Sequence, residues 1–351
     1  MSSAVAFNTP ISMPTGGRPH RVRRWSIIAS ILLLVLALAS MTIGAGIGAN
    51  KVGPAEVIGF LSGEATEWTQ SVILGLRLPR TLLGILVGSA LGIAGVVLQT
   101  AVRNPLAEPG LLGVSSGSAA AVVVGIYLGI VGLAAQVPLA ICGAIMGCLV
   151  ALAVASLRGS REDPVRLILA GAAVNGLLGS VISVILLIDQ ATADVVRFWT
   201  VGALAGRDLS VAGAVAVPLL FGIGLSILIL RPLAALSIGE QVARGLGHRP
   251  HATRFAAMLA VALLVGSATA VCGPIAFAGL VVPYAARALV GPDIRATLPL
   301  CALIGPIVLL GADILTRIAV QPSELPLGVV MAFIGAPILI AAVRARSIGK
   351  L

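Results

Sequence analysis

Long stretches without any Asp, Glu, Lys or Arg constrain this chain more than any other feature. A charge at the centre of a bilayer costs about 2.5–3.5 kcal/mol, and a helix needs about 20 apolar residues to cross it. Long charge-free stretches therefore mark candidate membrane spans. They are residues 25–50, 81–102, 109–157, 167–188, 209–230, 255–286, 296–312 and 325–343. The first is too long for a signal-peptide core and has no evident cleavage site, so we interpret it as a span.

Two of these stretches are long enough to hold two helices each. We expect 109–157 to break near Gln136–Pro138, and 255–286 to break at Gly273–Pro274, which leaves one short helix there. The sequence thus predicts an all-α polytopic membrane protein with about ten transmembrane helices. Composition supports this class, because only 10% of the residues are charged, whereas a soluble domain carries about 25%. A soluble enzyme is excluded.

The distribution of basic residues predicts the orientation in the membrane. With a cytoplasmic N-terminus, 17 of the 23 Lys and Arg residues fall in segments on the inner side. Positive charge accumulates on the cytoplasmic side, so both termini are predicted to be cytoplasmic. The membrane is predicted to be a cell membrane of the bacterial inner or plasma type. The predicted organisation is a cytoplasmic polar tail (1–24), a transmembrane permease domain (25–343) and a cytoplasmic C-terminal tail (344–351). The longest inner segment is 231–254.

A weak internal repeat is visible in two of the predicted spans. Residues 86–95 read LVGSALGIAG and residues 264–273 read LVGSATAVCG, with identity at six of ten positions. Coincidence is an alternative in a chain so rich in Gly, Ala and Val. If the repeat is genuine, its copies lie five spans apart and cross in opposite directions, as inverted repeats of transporters do.

Several chemical functions have little support in the sequence. The net charge of +10 comes with only 3% aromatic residues, so the basic residues indicate membrane topology, and we expect no nucleic-acid partner. The G-x-S-x-G pattern at 113–117 lacks a histidine nearby to act as base, and helix packing explains its small residues better. The four cysteines lie inside apolar stretches, so neither a catalytic nor a metal site is predicted.

Energy for any transport must come from outside this chain. The two lysines, Lys51 and Lys350, are not followed by Ser or Thr, so no P-loop is present. Asp313 and Arg317 are four residues apart on one helix face and are best interpreted as a local ion pair. An ion-coupled secondary transporter is the alternative.

A set of short segments in fixed order carries a family resemblance from about residue 70 to 343. They are 77–81 (RLPRT), 104–114 (NPLAEPGLLGV), 239–247 (GEQVARGLG), 279–287 (GLVVPYAAR), 312–317 (ADILTR), 324–330 (ELPLGVV) and 335–337 (GAP). Together they resemble the FecCD family, the BtuC-like permeases of ABC importers for iron–siderophore complexes, haem and cobalamin. The segment 197–208 is similar to the siderophore-type members, so an iron–siderophore complex is the expected substrate, with haem or cobalamin as alternatives.

The resemblance also implies partners. These are a second permease subunit, as homodimer or heterodimer, a cytoplasmic ABC ATPase dimer and an extracytoplasmic substrate-binding protein, all assembled at the lipid bilayer. No cofactor is expected in this chain, because ATP and Mg²⁺ belong to the ATPase.

Site residues follow from the resemblance segment by segment. In 231–254 it places Glu240, Arg244 and Gly247 at the contact with the ATPase. Ile238, Val242 and Leu246 form a predicted apolar stripe on a short helix that Gly247 could cap, so a helix lying flat on the membrane is the alternative.

On the outer side the resemblance implies docking of the binding protein by Arg77, Arg80 and Arg317. The alternative is that these arginines merely extend from span ends toward water. Asn104 and Leu106 are implied to form a gate, or else an ordinary turn. Asn175 is expected to face the translocation path, or else to form hydrogen bonds between helices.

Overall fold

The charge-free stretches become helices, since only internally hydrogen-bonded backbone is stable in lipid. The computed structural model describes residues 19–42, 52–130, 132–156, 164–320 and 323–348, and the regular elements within these ranges are all helical. They are α1 Pro19–Thr42, α2 Pro54–Ser62, α3 Glu67–Val72, α4 Leu78–Val102, α5 Val114–Tyr127, α6 Leu133–Ser156, α7 Pro164–Ile188, α8 Gln190–Thr200, α9 Leu209–Leu228, α10 Leu230–Ile238, α11 Glu240–Gly245, α12 Pro250–Cys272, α13 Ala278–Val290, α14 Ile294–Ile318 and α15 Leu327–Ile348. A π-helical turn, Ile73–Arg77, joins α3 to α4, and a 3₁₀ turn, Pro109–Leu112, precedes α5.

The described helices match the predicted number of spans. Seven are long and apolar enough to cross a membrane: α1, the continuous helix Glu67–Val102 that contains α4, and then α6, α7, α9, α12 and α14. Three shorter apolar helices, α5, α13 and α15, complete the expected ten. The polytopic all-α class is therefore confirmed.

One predicted helix break is wrong and another is confirmed. The stretch 109–157 turns at residues 128–130, and Gln136–Pro138 lies within α6. Gly129 provides this turn with a φ of 86°, which favours glycine, whereas a proline so near a helix start removes only one hydrogen bond. The second break follows Cys272 as predicted, and Gly273 has a φ of 75° there.

The predicted cytoplasmic tails are partly helical where the structure describes them. Helix α1 already begins at Pro19, and α15 continues to Ile348, so residues 19–24 and 344–348 are helical. The remaining tail residues, 1–18 and 349–351, lie outside the described residues.

Acidic residues in the connections mark where several helices begin. Asp189, Asp208 and Asp293 each accept a hydrogen bond from a backbone N–H in the first turn of α8, α9 and α14. Such caps satisfy donors that have no partner within the helix. Hydrogen bonds from the side chain and backbone of Ser210 also hold the pKa of Asp208 below its usual range.

Glycines let α4 pack at backbone contact against α14. A Cβ at Gly88 would lie 2.6 Å from the Cα of Pro306, and a Cβ at Gly305 would overlap the carbonyl oxygen of Gly88. Small residues at such crossings compensate for the weak hydrophobic drive between helices in lipid. Helices α4 and α12 are the most deeply buried of the seven long apolar helices described, so they form the centre of the molecule.

The weak repeat corresponds to a repeated order of elements. Its copies lie in α4 and α12, and each of these helices precedes a non-helical segment, a short helix and two long helices. Gly88 packs on α14, whereas its counterpart Gly266 packs on α6, where a Cβ would lie 2.9 Å from the Cβ of Ala144 and 3.1 Å from the Cα of Ile141. Helices α14 and α6 hold equivalent places in the two sets of helices, so the two glycines make equivalent contacts, as a genuine repeat would predict.

The two ends of α4 separate the residues predicted to lie on opposite sides of the membrane. Arg77 and Arg80, predicted outside, lie at its N-terminal end, and Arg103, predicted inside, follows its C-terminal end. With 25 residues, α4 is about 37 Å long. We call these the outer and inner ends of the molecule.

Candidate functional site

At the inner end, residues 103–113 connect α4 to α5 and contain the predicted gate. This inner connection begins with Arg103 in the left-handed conformation at φ 55°. The side-chain oxygen of Asn104 accepts a hydrogen bond from the backbone N–H of Leu106 at 3.0 Å, and its carbonyl accepts one from Ala107 at 3.1 Å. Asn104 thus shapes the turn and places Leu106, while the gating role of both residues stays a prediction.

The inner connection folds back along α4 instead of remaining at the helix end. Pro109 lies against Gly279 at the start of α13, and a Cβ at Gly95 of α4 would overlap the carbonyl oxygen of Gly279. Gly95 precedes the end of α4 by seven residues, or about 10 Å along the helix. Backbone without helical hydrogen bonds is tolerated at this depth because protein surrounds it: Ala107 and Leu112 are buried.

Asn175 fixes this folded-back segment to α7. Its side-chain amide donates to the carbonyl of Gly110 at 2.8 Å, and its oxygen accepts from the hydroxyl of Ser116 on α5. Asn175 therefore forms hydrogen bonds between α7 and its neighbours, which is one of its two predicted roles. A position on the translocation path stays a prediction.

Glu108 joins the inner connection to the break between α12 and α13, a contact that the sequence analysis missed. Its Oε1 accepts a hydrogen bond from the N–H of Phe277 at 3.0 Å. Phe277 precedes α13 with a φ of 67°, and the equivalent position before α5 is Gly113 at φ 77°. A bulky residue in this conformation is strained, so the Glu108 contact and the packing of the Phe277 side chain on Gly335 hold it in place.

The segment 231–254 contains two short helices instead of one. Gly239, with φ 155° and ψ 154°, separates α10 from α11. The predicted stripe is therefore divided: Ile238 ends α10, Val242 lies in α11 and Leu246 follows it, and all three side chains are exposed. Gly247, at φ 80°, terminates α11 as expected, and its N–H donates to the carbonyl of Arg244 at 2.9 Å.

Glu240 lies at the centre of an ion-pair cluster on this inner face. Its Oε2 accepts from Arg244 of α11 at 3.2 Å, and its Oε1 pairs with Arg254 of α12. A groove of about 400 Å³ runs beside it, lined by Val102, Arg103, Arg254 and residues 238–242. The structure therefore brings Glu240 and Arg244 together and leaves Gly247 at the other end of α11. Nothing in the sequence spacing of Arg254 indicates this pairing, because Glu240 lies on a different helix.

At the outer end, the three predicted docking arginines lie close together but have partners within the chain. Arg80 donates to Asp313 at 2.8–3.1 Å and to Glu324 at 2.8 and 2.9 Å. Arg317 pairs with the same Asp313, which confirms the predicted local ion pair, and donates to Ser40 of α1.

Arg77 belongs to the same cluster and donates to the carbonyl oxygens of Met41 and Val52. Arg77 and Arg317 are buried, whereas the Arg80 and Glu324 side chains are 12% and 27% exposed. Because Arg77 and Arg317 are buried, their side chains lie inside the protein and do not face a partner protein. Docking of a binding protein by Arg77, Arg80 and Arg317 stays a prediction. The pairing of Arg80 with Glu324 could not be seen in the sequence because 244 residues separate them.

Among the residues that the structure describes, no group of three or more His, Cys, Asp and Glu side chains lies together as metal ligands would. The site geometry thus consists of a folded-back connection, an inner ion-pair cluster and an outer ion-pair cluster.

Comparison with known proteins agrees with this architecture. The model of the FecCD transport family matches residues 32–345. The ferric enterobactin transport system permease protein FepD of Escherichia coli is 41% identical over 99% of both chains. The Fe(3+)-citrate import system permease protein YfmD of Bacillus subtilis is 33% identical over 91% of this chain and 96% of its own.

Two further similarities extend the comparison beyond iron permeases. The vitamin B12 import system permease protein BtuC of Vibrio cholerae is 35% identical over 92% of this chain and 95% of its own. A metal-chelate type ABC transporter solved in an inward-facing conformation superposes with a TM-score of 0.75 and 28% identity, covering 92% of this chain and 99% of that one. The chain therefore belongs to the FecCD transport family and is the multi-pass membrane permease of an ABC importer, a transporter rather than an enzyme.

Proposed function

We propose that this permease carries a ferric siderophore into the cytoplasm across the cytoplasmic membrane. The observation that carries the proposal is the 41% identity, over nearly the whole of both chains, to a ferric enterobactin permease. A cobalamin complex is the second candidate, because a vitamin B12 permease is 35% identical over most of this chain. The few polar groups in the spans favour a weakly interacting path, in which the binding protein supplies most of the affinity.

The energy source in this proposal is a pair of ATPase subunits that hold ATP and Mg²⁺. An ABC importer permease works with an ATPase and a substrate-binding protein, and this chain has no P-loop of its own. We propose that two permease subunits, identical or related, enclose the path between them. Exposed apolar side chains on α7, among them Leu177, Val184 and Leu187, support a surface that lipid or a second permease covers.

Coupling to the ATPase is proposed at α10 and α11. Glu240, Arg244 and Gly247 lie on this inner face, and the neighbouring Ile238, Val242 and Leu246 are exposed. Apolar side chains beside an ion-pair cluster suit a groove of a partner protein, since interfaces combine an apolar centre with a polar rim. The gate is proposed at Asn104 and Leu106 in the inner connection, with Asn175 fixing that connection from α7.

Docking of the binding protein is proposed at the outer cluster. Arg80 and Glu324 supply the partly exposed groups, while Arg77 and Arg317 fix the helices beneath them. Charged docking contacts are screened by salt. The affinity of the reconstituted permease for its binding protein should therefore fall as ionic strength rises, and a salt-independent affinity would contradict docking at this cluster.

The substrate is tested by reconstituting permease, ATPase and cognate binding protein in proteoliposomes supplied with ATP. We expect uptake of ⁵⁵Fe-labelled ferric enterobactin, with no competition from excess vitamin B12. A matched control uses liposomes without the permease. Uptake of labelled B12 with none of the ferric siderophore would assign the second candidate and contradict the first.

A further inference from the structure

One cation at the inner end links three helices. Arg254, in α12, pairs with Glu240 of α11, and its Nε donates to the carbonyl of Ala101, in the last turn of α4, at 3.4 Å. The last carbonyls of a helix have no partner within it and form the negative end of its dipole, so a guanidinium is well placed there. Arg254 thus connects α11 to the two most deeply buried long helices.

Helix α11 is short and is joined to α10 and α12 through glycines. The helix has only six residues and lies between Gly239 and Gly247, two glycines with positive φ. The groove of about 400 Å³ separates it from the end of α4. The buried Ala243 and the Glu240–Arg254 pair are side-chain contacts through which a displacement of α11 can reach its neighbours.

The Glu240–Arg254 pair is better protected from water than the other pair on the same carboxylate. The side chains of Glu240 and Arg254 are 12% and 24% exposed, whereas Arg244 is 55% exposed. Shielded pairs are less screened by salt and keep a more defined geometry than exposed ones. Arg254 also contacts α4, through the carbonyl of Ala101.

We propose that Arg254 is a positioning residue that transmits movement of α11 to the inner ends of α4 and α12, and so couples the ATPase to the translocation path. This inference rests on the proposed function, since it takes α11 as the element that the ATPase moves. Motion of the end of α4 would also carry the inner connection, which begins at Arg103 and includes the proposed gate at Leu106.

The test uses the complete importer in proteoliposomes, with ferric enterobactin on the binding protein. In Arg254→Gln we expect the permease to copurify with its ATPase and to keep the basal ATP hydrolysis of the wild type. The additional hydrolysis that the loaded binding protein stimulates should fall about tenfold, within the usual range of coupling between sites. Transport should fall with it, and Arg254→Lys should restore part of both.

Two further variants test whether the effect comes from the Glu240–Arg254 contact. In Glu240→Gln with Arg254→Gln the loss of stimulation should be smaller than the two single-variant losses combined, because residues that act through one contact are not additive. Arg295→Gln removes an exposed arginine in the first turn of α14 and should match the wild type. If Arg254→Gln does not fold, Arg254→Lys, which keeps a cation beside Glu240, must still show reduced stimulation and transport.

Stimulation and transport within twofold of the wild type in Arg254→Gln, or an additive double variant, would overturn the inference. Failure of the proposed function would appear differently, since the wild-type importer would then show no stimulation by ferric enterobactin at all.

Discussion

A single buried carboxylate, Asp313, holds two cations at the outer end. Arg80 and Arg317 both donate to it, from α4 and from its own helix. Removing one partner of a buried cluster leaves uncompensated charge, which costs about 3–5 kcal/mol. Asp313→Ala should therefore lower the unfolding midpoint of the purified permease strongly, as followed by thermal denaturation in detergent.

The matched control for Asp313 is an exposed ion pair of the same chain. Asp194 pairs with Arg197 on α8, and both side chains are exposed, so water screens their attraction. Asp194→Ala should leave the unfolding midpoint almost unchanged. Equal shifts in the two variants would show that the outer cluster does not stabilise the fold.

The sequence predicted only the local part of this cluster. Asp313 and Arg317 are four residues apart, and that spacing alone places them on one helix face. Arg80 and Glu324 join them through tertiary packing of α4 and the segment before α15, which no local spacing reveals. For the same reason the link between Glu108 and Phe277 was missed, because 169 residues separate the two.

Helices of this molecule cross at close distance where glycines lie in the contact. Gly95→Ala adds a methyl group that overlaps the backbone carbonyl of Gly279, and backbone cannot move aside as a side chain can. We expect a clear loss of thermal stability, together with displacement of α13. Gly176→Ala is the control: nothing lies within 4 Å of its added Cβ, and alanine favours helix by up to about 1 kcal/mol over glycine. A Gly95→Ala permease as stable as the wild type would contradict the crossing.

Element boundaries could be predicted where one residue type dictates the backbone. The break at Gly273–Pro274 was predicted because a glycine followed by proline ends a helix. The stripe at Ile238, Val242 and Leu246 was placed on one helix because its spacing fits helical periodicity. Gly239 divides it, and a lone glycine within an apolar pattern does not reveal whether a helix bends or ends.

At the scale of the whole molecule, hydropathy and the arginine distribution predicted more than any site motif. The lengths of the charge-free stretches predicted about ten transmembrane helices. The described residues form seven long apolar helices and three shorter ones. Residues predicted on opposite sides, such as Arg80 and Arg254, lie at opposite ends of α4. The substrate could not be predicted in the same way, because relatives for iron chelates and for vitamin B12 match the chain at similar identity.

The most direct test of the account is whether transport depends on ATP at the partner subunits. Proteoliposomes that contain permease, ATPase and binding protein should take up ferric siderophore only when ATP is present on the ATPase side, and a protonophore should leave this uptake unchanged. Uptake that continues without ATP or without the ATPase, while an imposed proton gradient persists, would contradict the account.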